Sequence, residues 1–233
     1  MRPTSRNIIQ SFAVMVLSFA GIWFLKLGLL LAGSWLSSLN GQVVIEGLFV
    51  TVNSTDWSIY QVLAVYLLPI LILILLVIVL GRKYHYPGRL SKAVVLLKSW
   101  LYLFLIIEAF LMPAISIFIK TGIWHPLNWL GFTLIEQYLC AVVLLIFYII
   151  GSLKLGPFFA AATENSSVLI SDKKSITNQV LSLVVIPAIG LIIFILAFTE
   201  FSLDTLMITY LAGLIFSVAV TVLQIVNYNV IVK

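Results

Sequence analysis

The chain has 233 residues, of which 63% are apolar and only 9% charged, with 13 basic and 8 acidic side chains and a net charge of +5. A soluble domain carries about 25% charged residues, so these proportions exclude a water-soluble globule, and intrinsic disorder is excluded because it needs low hydrophobicity. With Cys140 as the single cysteine, an internal disulfide framework and a cysteine-based zinc cluster are also excluded, which leaves a polytopic helical membrane protein.

A helix needs about 20 apolar residues to cross about 30 Å of hydrocarbon. Six stretches satisfy this: 8–32, 59–80, 93–119, 131–153, 177–199 and 205–230. The first follows Arg2 and Arg6 in the manner of a secretory signal, but it is too long for a signal core and no clean cleavage site follows, so it reads as an uncleaved span. Lys26 falls in its outer part, and Ser18, Gly21 and Gly28 give it a weak row of small residues. In the connection 33–58, the run Gln42–Val52 is rich in β-branched residues and follows the turn dipeptide Asn40-Gly41. A surface hairpin is one reading of it, and an irregular interfacial loop is the preferred one. Asn53-Ser54-Thr55 matches a glycosylation triplet that has meaning only in a secretory-pathway host.

Span two carries Pro69, and the segment after it holds the densest charge, Arg82, Lys83 and Arg89, followed by Lys92. These four read as a topology anchor, with contact to anionic lipid headgroups or to a partner as the sharper alternative. In span three, Lys98 lies close enough to the inner end to snorkel. Glu108 lies near the middle among Phe104, Leu105, Leu111 and Met112. A bare carboxylate there costs at least ~2.5 kcal/mol, so it must be protonated, paired or hydrated. Lys26 is one partner within reach, although the two depths agree only roughly. Pro113 follows and frees the carbonyl of Ala109 beside the acid. Glu136 sits at the outer end of span four, and Cys140 reads as apolar packing within it. Gly156-Pro157 reads as a turn opening a solvated inner segment that continues through polar Glu164–Ser175. Span five carries Pro187. Span six places Thr205, Thr209, Gly213, Ser217 and Thr221 at four-residue intervals with Gln224 continuing the face, a pattern that lets helices approach closely.

Basic residues favour the cytoplasmic side. One alternating set of segments holds Arg2, Arg6, Arg82, Lys83, Arg89, Lys92, Lys154, Lys173, Lys174 and Lys233, whereas the other holds only Lys120. Both termini are therefore expected in the cytoplasm, with the bacterial inner membrane as the expected location. Nucleic acid is not an expected partner, because the basic residues are divided among short segments. Gln61-Val62-Leu63 followed by Pro69 matches Gln179-Val180-Leu181 followed by Pro187. This leaves open a 3+3 inverted repeat of the kind found in carriers, with both prolines near the midplane.

Catalytic constellations are missing. There is no zinc-protease helix motif, nucleophile elbow, phosphate loop or dinucleotide turn, and His85 and His125 fall on opposite sides of the membrane. No enzyme activity, metal or cofactor is expected. The expectation is an all-α integral membrane protein with one polytopic domain, acting as a non-enzymatic subunit that stabilises or anchors a larger membrane complex. The alternative is a small secondary transporter, proton-coupled in one version, with Glu108, Pro69 and Pro187 at its binding site.

Overall fold

The computed structural model describes residues 3–38, 42–46, 49–53, 57–82, 91–164, 173–198 and 204–231. Their helices are α1 (Pro3–Leu36), α2 (Ile59–Leu80), α3 (Lys92–Phe118), α4 (Trp124–Trp129), α5 (Leu134–Leu153), α6 (Leu155–Glu164), α7 (173–198) and α8 (Thr205–Ile231). Strands β1 (Gln42–Glu46) and β2 (Phe49–Asn53) complete the described elements. Six helical stretches are long and apolar enough to cross a membrane, at the six places expected. The architecture is an all-α membrane bundle with one small hairpin.

Helix α3 is the axis of the bundle. About 83% of its apolar stretch is buried inside the chain, against 28 to 44% for the other five spans. It is enclosed by α1, α2, α5, α6 and α8, and it places Trp100, Tyr102, Phe104 and the run Leu103–Ile107 in the core. The peripheral helices turn Leu71, Leu75, Ile78, Val142, Ile146 and Ile193 outward. In water this surface would aggregate; in lipid it is the solvated face.

Prolines act in an unexpected way. Pro69, Pro113 and Pro187 do not break their helices. Each follows a single π turn: Leu63–Leu67, Ile107–Leu111 and Leu181–Val185. A proline ring clashes with the carbonyl four residues earlier and offers no N–H. Widening the turn lets the residue before it, Leu68, Met112 or Ile186, donate to Leu63, Ile107 or Leu181, five residues back, so the helix continues past the ring. Helix α3 shares the device, so a proline preceded by a π turn is not particular to the Pro69 and Pro187 segments. The two halves also pack differently. Helix α1 lies along α2, whereas α5 has α3 and α8 as its main neighbours, and the buried α3 has no counterpart in the peripheral α8.

Two connecting segments differ from expectation. Segment 42–53 forms an antiparallel hairpin, with Val43 opposite Val52 and Glu46 opposite Phe49, rather than an irregular loop. Its pairing closes well past Asn40-Gly41, which lies outside the described residues. Val52 is buried against Leu30 and Val65 at the outer ends of α1 and α2, and its carbonyl accepts from Tyr66 Oη at 3.3 Å. That docking supplies the support an isolated two-stranded hairpin lacks. The segment after α5 is not a solvated turn either. Gly156 and Pro157 open α6, whose Leu155, Phe159 and Ala162 are buried between α3 and α8. Most of Glu164–Ser175 lies outside the described residues.

Candidate functional site

Glu108 is the only buried acid among the described residues. It sits in the π turn of α3, and its Oε2 accepts from Lys26 Nζ of α1 at 2.7 Å. The side chains of Lys26 and Glu108 are 21% and 9% exposed, so the pair is largely withdrawn from its surroundings. This is the only ion pair among the described residues. Buried Tyr210 of α8 lies within electrostatic range of the carboxylate. Its ring meets Phe19 edge-on at 6.1 Å, and Phe19 in turn meets Phe104 at 5.5 Å.

Part of the small-residue face of α8, from Gly213 to Thr221, packs against neighbouring helices. Tyr148 Oη of α5 donates to the Gly213 carbonyl at 2.7 Å and shares a hydrogen bond with Ser217 Oγ at 2.8 Å. Ser152 reaches the same Ser217 at 3.2 Å. Gly213 lets Leu111 of α3 approach so closely that a Cβ there would collide with it. Thr221 is buried and bonds back to the Ser217 carbonyl. Thr205 and Thr209 depart from the pattern: Thr205 is exposed, and Thr209 only bonds back to Thr205 within its own helix. In α1, Ser18 is buried, but Gly21 and Gly28 face open space.

Gln224 has a role that its place on that face did not reveal. The chain turns at Lys154 between α5 and α6, leaving backbone groups without helical partners. Gln224 Nε2 donates to the Leu153 carbonyl at 2.8 Å, and its Oε1 accepts from Gly156 N–H at 3.0 Å. The carbonyl of Leu183, the one Pro187 would obstruct, accepts from Ser11 Oγ of α1 at 2.5 Å, and Trp100 Nε1 donates to that hydroxyl at 3.1 Å. Pro187 lies one turn past this interhelical link, Glu108 pairs with α1, and Pro69 is buried in the part of α2 that packs against the π turn of Glu108.

The basic candidates separate. Arg82 ends α2 with its side chain exposed, and its carbonyl accepts from Lys98 Nζ at 3.0 Å. Lys98 also lies 4.6 Å above the Phe158 ring. Lys92 Nζ donates to Asn7 Oδ1 at 3.0 Å. Lys83 and Arg89, like His85, lie outside the described residues. His125 of α4 lies tilted against Tyr66 at 5.5 Å and edge-on to Trp124 at 5.2 Å, and burial pushes its pKa down. No three metal-ligating side chains converge among the described residues.

Neither a protein family, nor a curated protein, nor a solved structure matches the chain. Its class rests on its own physics: six apolar helices around a buried axis define a polytopic α-helical membrane protein.

Proposed function

We propose that the chain is a non-enzymatic membrane subunit that packs into, and stabilises or anchors, a larger membrane protein complex. It would lie in a bacterial inner membrane with both termini in the cytoplasm, in contact with anionic lipid and with other membrane proteins. The observation carrying this reading is the 2.7 Å Lys26–Glu108 pair. The one buried acid is neutralised by a cation of the same chain, and the polar groups Tyr148, Ser152, Ser217, Gln224, Ser11 and Trp100 are used in links between helices. Polar chemistry spent on joining helices suits a scaffold more than a conduit. Affinity purification of the tagged full chain from its host in a mild detergent tests the proposal. Other membrane proteins are expected in fixed stoichiometry, and a folded chain that is active alone in liposomes would overturn it.

A second reading is favoured by the position of Glu108 inside a π turn, since such turns recur at functional sites. It is a small proton-coupled carrier in which Glu108 exchanges Lys26 for a proton or substrate. Proton-coupled uptake left unchanged by Glu108→Gln would remove this reading.

A further inference from the structure

We propose that the junction of Arg6, Asn7 and Lys92 binds the phosphate of an anionic glycerophospholipid. The site joins the start of α1 to the start of α3, two helices that pack extensively on each other. Lys92 Nζ donates to Asn7 Oδ1 at 3.0 Å, which uses one of its three protons and leaves two for another acceptor. Arg6 is the next residue and is exposed. The groups collected here are donors, and the first turn of α3 contains no acid. Neither Arg6 nor Lys92 takes part in a salt bridge among the described residues. Lys92, the Asn7 amide and the adjacent exposed Arg6, with no carboxylate paired to either cation among the described residues, complement an anion, and an oxyanion with several acceptor oxygens suits such donors.

The surface beside this junction specifies the rest of the ligand. Ile9 and Leu17 are 53% and 68% exposed, and Ala13 between them is exposed as well. Their spacing from Arg6, at three, seven and eleven residues, places all four on one face of α1. A charged head at one end and an apolar track running into the membrane from it describe an amphiphile. Inorganic phosphate shares the head chemistry but has nothing to lay along Ile9, Ala13 and Leu17. The inference does not depend on whether the chain works alone or in an assembly.

The test uses the full chain purified in a mild detergent. Thermal unfolding is followed with added phosphatidylglycerol, phosphatidylcholine or inorganic phosphate, and co-purified lipid is counted by native mass spectrometry. Phosphatidylglycerol is expected to bind in preference to phosphatidylcholine. Arg6→Gln and Lys92→Gln are each expected to lower that preference about fivefold, the value of one basic residue near an anionic surface. Arg6→Lys should keep it. Lys154→Gln, which removes a cation at the end of α5, should leave it unchanged. The proposal fails if the Arg6→Gln/Lys92→Gln protein keeps the preference, if Lys154→Gln reduces it equally, or if inorganic phosphate reproduces the stabilisation.

Discussion

Removing one partner of the Lys26–Glu108 pair should cost far more than removing both. The nitrogen and oxygen are 2.7 Å apart. At an effective dielectric constant of about 20, two unit charges at that distance attract by about 6 kcal/mol. Much of this is offset by the loss of hydration when both groups leave water. Once Lys26 is replaced by Met the attraction disappears while the carboxylate stays withdrawn, and the same holds for the ammonium in Glu108→Gln. Breaking a buried pair in this way costs about 3–5 kcal/mol, and the partial exposure of Lys26 places the expected losses toward the lower end. Replacing the pair by apolar side chains removes attraction and desolvation together, so Lys26→Met/Glu108→Met should lie within about 1 kcal/mol of the parent or above it. Reversible unfolding in mixed micelles, read by tryptophan fluorescence, gives the four corners of the cycle. Single losses below 1 kcal/mol that simply add in the double variant would refute the argument.

Other consequences concern packing and pH. Gln224→Leu strips partners from the Leu153 carbonyl and the Gly156 N–H, at about 1–3 kcal/mol for each group left unsatisfied, and a thermal melt should show the loss. Gly33→Ala sets a Cβ 2.5 Å from the Ala64 backbone oxygen and should separate α1 from α2, measurable as faster amide exchange at their outer ends. Gly21→Ala and Gly28→Ala face open space and should leave the stability of the isolated chain undiminished. Burial holds the pKa of His125 below its ordinary 6.5. Below pH 6.5 the unfolded chain therefore binds more protons, and stability should fall as pH drops through that value toward the lowered one. His125→Gln should flatten this part of the pH profile, and a stability that rises on acidification would contradict the assignment.

The spans were legible because lipid tolerates no unsatisfied backbone, so each crossing must be a long apolar run. Lys26 and Glu108 could be paired for a related reason: few charges fall at membrane depth. The packed part of the α8 face was legible from Gly213, Ser217 and Thr221, whereas Thr205 and Thr209 continue the spacing past the point where a neighbour packs. Short elements were harder. The β-branched run 42–53 fits an interfacial loop as well as a hairpin until Val52 finds its place against Leu30 and Val65. Gly156-Pro157 carries a turn signature, yet proline is tolerated in a first helical turn, and Gln224, 68 residues beyond Gly156, supplies the missing partners. One local signal was present and unused. Ser58-x-x-Gln61 and Thr133-x-x-Glu136 form capping boxes at the starts of α2 and α5, which assigns Glu136 to a helix cap. The prolines of the spans leave their helices unbroken because a π turn precedes each one, in α3 as well as in the two segments the possible repeat relates.

The central claim is that the Lys26–Glu108 pair is a structural link that a well-packed apolar pair can replace, in a chain proposed to join a larger assembly. The native mass of the tagged Lys26→Met/Glu108→Met protein, extracted from its host in a mild detergent, tests it most directly. The account predicts a folded chain that retains the same associated membrane proteins, and hence the same total mass, as the parent. A folded double variant that runs as the bare 25.9 kDa chain, while the parent carries its partners, would contradict it.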